Sequence, residues 1–167
     1  SRFKKKNVMK LKFLSFLAGS MVVLSACNNS KKCDTIPCPY ECEDGVCICP
    51  PGQSGTLCED IWAKHYVGVW TDEDALSWRD KIIIKSSTTD LSVLLFDDFW
   101  DAKNVVAKLT SKTTFKFDEN QKLPDGYTLV SGEGTLNDLA TKLTGSYDIK
   151  YERNGETRTI QFEFQKN

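Results

Sequence analysis

Two stretches of the chain set carboxylates beside large aromatic rings. "TDEDALSWRD" (Thr71–Asp80) carries Trp78 among Asp72, Asp74 and Asp80, and "DDFWDAKN" (Asp97–Asn104) carries Phe99 and Trp100 among Asp97, Asp98 and Asp101. Aromatic faces stack on sugars and small amphipathic molecules, while carboxylates accept hydrogen bonds from hydroxyls or hold a calcium ion. A purely structural role competes with recognition: the carboxylates would keep the loops in water while the rings tuck back as lids on a core. Paired carboxylates also hydrolyse glycosides, but at a set separation that sequence does not fix. His65 is the sole histidine, and no serine or cysteine stands in a nucleophile motif. The apolar pattern puts His65 on a strand beside Tyr66, where a structural role is expected. Gly132-Glu133-Gly134 lacks the third glycine and following helix of a phosphate loop and fits a β-bulge better. No catalytic residue, metal ligand or cofactor site is expected.

The cysteines carry the next chemistry. There are seven, so disulfide pairing leaves one over. Six of them run C-x4-C-x3-C-x4-C-x-C-x8-C from Cys33 through Cys38, Cys42, Cys47 and Cys49 to Cys58, which permits fifteen pairings. Ahead of them, Arg2–Lys12 is basic and Leu11–Leu24 is mostly apolar. That apolar run is shorter than the roughly 20 residues of a spanning helix and ends in small residues, the layout of a secretory signal. Met9 is a candidate start. Export brings oxidising conditions, which favour disulfides over a zinc site in a module too small for its own apolar core. Residues 1–26 hold six basic residues and no acid, leaving 16 basic residues against 23 acids from Cys27 onward. A balance of -7 excludes the clustered positive charge that nucleic-acid binding needs.

The end of the apolar run, "LSAC" (Leu24–Cys27), resembles the lipobox of bacterial lipoproteins. That resemblance implies that residues 1–26 are removed and that Cys27, the spare cysteine, carries a diacylglycerol on sulfur and an acyl group on its new amine. Several acyl chains anchor stably where a single one holds marginally. "CICPPGQSGTLCE" resembles the C-terminal half of an EGF-like domain, with its C-x-C-x-x-G-x-x-G-x-x-C core intact at Gly52 and Gly55. The likeness spans residues 33–59 and implies the pairs Cys33–Cys42, Cys38–Cys47 and Cys49–Cys58. Calcium-binding members carry acidic residues just before the first cysteine; "NSKKC" places Lys31 and Lys32 there, so the calcium role is not carried over. Residues 27–32 form a tether that reaches only ~20 Å when extended.

These residues need a scaffold, and the remainder of the chain reads as strands. "KHYVGVW", "KIIIK", "LSVLLF", "NVVAKLT", "TTFKF", "GYTLVSGEG", "KLTGSYDIKYE" and "TRTIQFEFQ" are rich in β-branched and aromatic residues between polar or Gly/Pro breaks. The fold class is therefore mainly β, a small disulfide-rich module followed by an antiparallel barrel or sandwich of about eight strands over 62–167. Asn154-Gly155 predicts a two-residue hairpin turn with positive φ at both positions. That register sets Ile149 across from Ile160, Tyr147 across from Phe162 and Gly145 across from Phe164, with all the large residues on one face. In "LNDLATKL", helical spacing of Leu136, Leu139, Ala140 and Leu143 competes with a turn at Asn137-Asp138, and the short length favours the turn.

"YVGVW" resembles the first strand of lipocalin-like barrels, whose Gly-x-Trp matches Gly68 and Trp70, and "SGEG" resembles a Gly-rich strand of such domains. Lipocalins cover that tryptophan with a late arginine, for which Arg158 is the candidate. The whole layout resembles Bacteroidetes-type lipoproteins with an EGF-like domain before a lipocalin-like one. The resemblance implies a bacterial cell-envelope protein, lipid-anchored and most simply at the outer membrane. The non-acidic "NNSKK" leaves periplasmic and surface display both open. Two functions follow from different structures. A binding module for a small apolar or amphipathic ligand requires a cavity lined by residues such as Val67, Ile83, Leu94 and Tyr147. A structural or adhesive protein requires a filled interior with Trp78, Phe99 and Trp100 exposed together on loops 71–80 and 97–104, contacting glycan or protein. An enzyme has the least support.

Overall fold

A computed structural model of the chain describes residues 33–72 and 81–167; Cys27, the basic N-terminus and Trp78 lie outside that range. The N-terminal part is a disulfide-stapled module with very short strands. Cys33 bonds Cys42, Cys38 bonds Cys47 and Cys49 bonds Cys58, the first–third, second–fourth and fifth–sixth pairs. Strands β1 (Cys42–Glu43) and β2 (Val46–Cys47) form a hairpin closed by Asp44 and Gly45, both at positive φ (52° and 83°). Strand β3 (Gln53–Ser54) pairs with β4 (Asp60–Ile61), which leads to a single helical turn, α1 (Ala63–Tyr66). Three crosslinks replace the apolar core that so few residues cannot build.

The rest forms one antiparallel barrel. Its strands are β5 (Gly68–Asp72), β6 (Lys81–Ser86), β7 (Val93–Asp97), β8 (Val105–Leu109), β9 (Thr114–Phe117), β11 (Tyr127–Leu136), β12 (Lys142–Tyr151) and β13 (Thr157–Lys166). Neighbours pair in the order β11-β12-β13-β5-β6-β7-β8-β9, and β9 pairs back onto β11, closing eight strands. Alternation puts one residue in two inside: Ile82 and Ile84 of β6, Leu94 and Phe96 of β7, Phe115 and Phe117 of β9 are all buried. A further short strand, β10 (Gln121–Leu123), pairs with Tyr127–Leu129 on the same edge of β11 that β9 occupies further along. Where β9 stops, the Gln121 side chain substitutes for a strand. Its Oε1 accepts the Val106 N–H (2.7 Å), and its Nε2 donates to the carbonyls of Val106 and Asp118 (both 2.8 Å).

Several local expectations are corrected. His65 and Tyr66 are helical, and the strand begins at Gly68, because α1 must bury Ala63 and Tyr66 over one end of the barrel. The last hairpin pairs Tyr147 with Ile160, Gly145 with Phe162 and Ile149 with Arg158, two residues from the register expected of a tight Asn-Gly turn. Its loop is Glu152–Gly155, with the Gly155 N–H bonded to Tyr151 O (2.9 Å) and only Gly155 at positive φ. Glu152 is held outside the tight turn by its neighbours, its N–H on Gly126 O and its carboxylate on Lys122 and Thr128. A slip of two preserves faces, so Tyr147 and Phe162 still share the interior, with ring centroids 6.0 Å apart. The segment Asn137–Thr141 is a turn, as its chemistry suggests, with Asn137 Oδ1 accepting the N–H groups of Thr141 and Lys142.

The glycines of β11 do not mark the bulge. The irregularity falls between Leu129 and Ser131, while Gly132 and Gly134 stay in register with Tyr147 and Gly145. They face inward and make room for rings: a Cβ on Gly132 would lie 2.9 Å from Phe117, and one on Gly134 would overlap Phe115. The barrel centre is thus filled by Phe96, Phe99, Phe115 and Phe117, with neighbouring centroids 5.0–6.1 Å apart. Leu94 and Tyr147 are interior as expected. Val67 is 40% exposed, and Ile83 points outward opposite Asp97, because the inward positions of β6 are Ile82 and Ile84.

One end of the barrel is shut. Trp70 is fully buried and donates its indole N–H to Tyr66 O at 2.7 Å. The ammonium that covers it is that of Lys166, 5.3 Å from the ring centre and donating to His65 O at 2.8 Å. Arg158 does not play this part. Lys166 is the residue in register with Trp70, whereas Arg158 lies at the far end of β13 beside Glu156. The stapled module packs on the same shut end. Gly52 touches the backbone of Leu91 and Ser92, where a Cβ would lie 2.5 Å from the Leu91 carbonyl carbon, and Asp60 binds Lys112 at 2.8 Å.

Candidate functional site at the barrel mouth

The opposite end carries the loops 98–104, 118–126 and 152–156, and there the expected acidic, aromatic loop is found. Strand β7 ends at Asp97 and β8 starts at Val105, so residues 98–104 must reverse direction over the mouth. They do so in a tight backbone, with Asp98, Trp100, Asp101 and Asn104 all at φ between 53° and 59°. Asp and Asn tolerate this left-handed region; a tryptophan there is unusual and costs of order 1 kcal/mol or more. Trp100 is held by its indole N–H, which donates to Tyr147 OH at 2.7 Å, and by its ring packing 5.1 Å from Tyr127.

The five described residues expected to meet a ligand separate into different jobs. Phe99 is 3% exposed, packed 5.1 Å from both Phe117 and Tyr147, so it plugs the core rather than standing out as a platform. Asp97 is structural: it receives Lys85 at 2.5 Å and caps the Asn104 N–H at 2.9 Å, and both contacts lower its carboxyl below the usual value. Asp98 and Trp100 line a cleft, with Phe99 at its base, whereas Asp101 is exposed and outside it. Trp78 lies in the segment 73–80, outside the described residues, and Cys27 likewise.

That cleft has a volume of about 430 Å³, between loop 98–104 and the inward face of β13, with Ile160, Phe162 and Phe164 as its apolar side. A second cleft of about 160 Å³ lies on the other side of Trp100, against Tyr127, Ile149, Tyr151 and Arg158. Trp100 is therefore the partition between the two. Gln161, Ile160 and Tyr127 were not foreseen as site residues. Strand alternation marks Ile160 as inward and Gln161 as outward, but only the closed topology brings them to the same end as loop 98–104.

A second polar cluster sits at the shut end. Asp60 accepts from Ser54 Oγ (3.1 Å), Lys112 Nζ (2.8 Å) and meets His65 Nε2 (2.7 Å), and its carboxyl falls to about 2 because Lys112 and His65 favour the charged form. The residue types suggest a hydrolytic triad, but the order is wrong: serine bonds the carboxylate directly and receives the Trp62 indole N–H, so no imidazole is placed to take its proton. The cluster joins the module to the barrel. Among the described residues, no group of three or more His, Cys, Asp or Glu side chains is placed to hold a metal.

The fold defines a class, a disulfide-stapled module on the shut end of a closed eight-stranded antiparallel barrel whose opposite end carries aromatic side chains. Comparison with protein-family models, with curated proteins and with solved structures gave no match.

Proposed function

We propose that this chain is a lipid-anchored envelope protein that binds a small apolar or amphipathic ligand at the barrel mouth. The observation that carries the proposal is Trp100, kept in a costly left-handed backbone so that its indole stands between two clefts that each combine aromatic or aliphatic walls with polar residues. Strain of this kind persists where surrounding structure enforces it, and it concentrates at ligand sites. A cleft of about 430 Å³ falls within the 300–1,000 Å³ typical of small-molecule sites. The aromatic filling of the barrel centre leaves out the interior cavity that a deep ligand site requires, so the reading is confined to a ligand held at the rim. The EGF-like spacing of the cysteines and the "LSAC" sequence support an anchor at Cys27 and a spacer in the stapled module. With the module on the shut end, the mouth would face away from the membrane. The lipocalin-like resemblance rests on Gly68 and Trp70, with Lys166 as the covering cation.

Native mass spectrometry of the protein purified from its producing cells tests the proposal, with a co-purifying small molecule lost in Trp100→Ala as the expected result. Protein that is empty, and stays empty against a panel of amphiphiles, overturns it. The anchor is tested separately: Cys27→Ala should abolish acyl labelling and release the protein from membranes, and continued labelling would refute it.

A further inference from the structure

Exposed apolar side chains are distributed unevenly over the molecule. Among the described residues, six large ones are exposed, and all six lie on the stapled module or at the shut end of the barrel: Tyr40, Val46, Ile48, Leu57, Val67 and Leu139. Single exposed apolar residues are ordinary on a soluble surface, but random scatter does not confine them to one end. Val46 and Ile48 stand two apart on one strand and share a face of the β1–β2 hairpin, with Glu43 and Glu41 across from them. Tyr40 accepts a hydrogen bond from Gln53 Nε2 at 3.1 Å and leaves its ring exposed, the amphipathic use of tyrosine favoured at lipid interfaces. Lys166 links the two barrel positions. Its N–H donates to Thr141 O and its ammonium to His65 O, both at 2.8 Å, which sets the turn holding Leu139 beside the end of α1 and Val67. Leu139 is 80% exposed and Val46 68%, so folding gives neither a reason to be apolar.

The chain itself indicates what covers this end. Cys33 opens the module, and the tether of residues 27–32 before it reaches only ~20 Å from Cys27. We infer that the module and the shut end rest on a zwitterionic lipid surface, with their exposed apolar side chains in its interface. The contact rests on the anchor at Cys27 proposed above. A zwitterionic headgroup offers a partner to both signs of charge present: ammonium for the exposed Glu41, Glu43 and Asp44, phosphate for Lys64 and, in the tether, Lys31 and Lys32. Amide NMR of the acylated chain in phosphatidylethanolamine–phosphatidylcholine bicelles, with a phosphatidylcholine spin-labelled near its acyl carbonyl, tests the contact. Amides of Val46, Ile48, Leu57, Val67 and Leu139 should broaden, while those of Lys103 and Asn154 at the mouth stay sharp. Val46→Ser, Ile48→Ser and Leu139→Ser together alter exposed positions only, so the chain should keep its three disulfides and its Tm. They should leave acylation intact yet shift the docked-to-undocked ratio by about ten-fold. An acylated chain without broadening, with broadening at the mouth, or with a triple variant like the parent would overturn the lipid contact and leave the anchor standing. Self-association without lipid that the triple variant abolishes would assign the surface to a second copy and overturn it too. A chain carrying no acyl group would overturn the anchor, and the contact with it.

Discussion

Replacing Gly134 with alanine tests the ring packing that fills the barrel. The glycine faces the barrel interior, and an added Cβ would overlap Phe115 Cζ, lie 2.5 Å from its Cε1 and 3.1 Å from Phe162 Cζ. Phe115 has little room to yield, because Tyr66, Phe96 and Phe117 surround it at 5.9, 5.3 and 5.3 Å. Overpacking of this kind costs about 1–3 kcal/mol. Alanine returns roughly 0.5–1 kcal/mol by restricting the unfolded chain. The net is a loss of about 1–2 kcal/mol, or roughly 5–15 °C in Tm for a barrel of this size. Urea unfolding by tryptophan fluorescence and calorimetry, with the disulfides intact, would measure it. Phe115→Leu in the same background should recover at least about 0.5 kcal/mol relative to additivity, since the two sites share one contact. A Gly134→Ala protein as stable as the parent, or strict additivity with Phe115→Leu, would refute the packing account.

Other perturbations address the two ends. Asp60 titrates at about 2 instead of its ordinary 3.8, so its contribution to docking the module is complete above pH 3.8 and fades as pH falls toward 2. Fluorescence of Trp62, bonded to Ser54 beside Asp60, should report that acid transition, and Asp60→Asn should remove it. Lys166→Met keeps much of the side chain's apolar stem but loses the contact to the Trp70 ring and the bond to His65 O, an expected loss of about 1–2 kcal/mol in urea unfolding. Arg158→Met, in an exposed ion pair, should stay within about 0.5 kcal/mol in the same assay.

Much of this architecture is legible in the residues because it depends on short-range periodicity. The runs Phe115–Phe117 and Ile160–Phe164 alternate strictly, and such alternation makes strands whatever they pair with, while the continuous β-branched run Ile82–Ile84 reads as a strand by composition. What escapes sequence is set by contacts distant in the chain. Glu152 holds the last hairpin two residues from the register that Asn154-Gly155 favours, through Gly126, Thr128 and Lys122. The cation over Trp70 is Lys166 because β13 pairs with β5 only at its final residues, a fact of closure rather than of spacing. The acidic, aromatic character of residues 97–104 identifies the site region correctly, but assigning Phe99 to the core and Trp100 to the mouth requires the positive-φ turn that separates them.

The two ends of the barrel each carry a tryptophan indole N–H with a known partner, Trp100 on Tyr147 OH at the mouth and Trp70 on Tyr66 O at the shut end. They are internal reporters that distinguish binding at the rim from binding anywhere else. In nitrogen–proton NMR of the Cys27→Ala chain titrated with a small amphiphile such as 1-octanol, the Trp100 indole resonance should move in a saturable way while the Trp70 resonance stays fixed. A shift at Trp70 with Trp100 unmoved, or saturable binding that perturbs neither, would contradict a ligand site at the mouth.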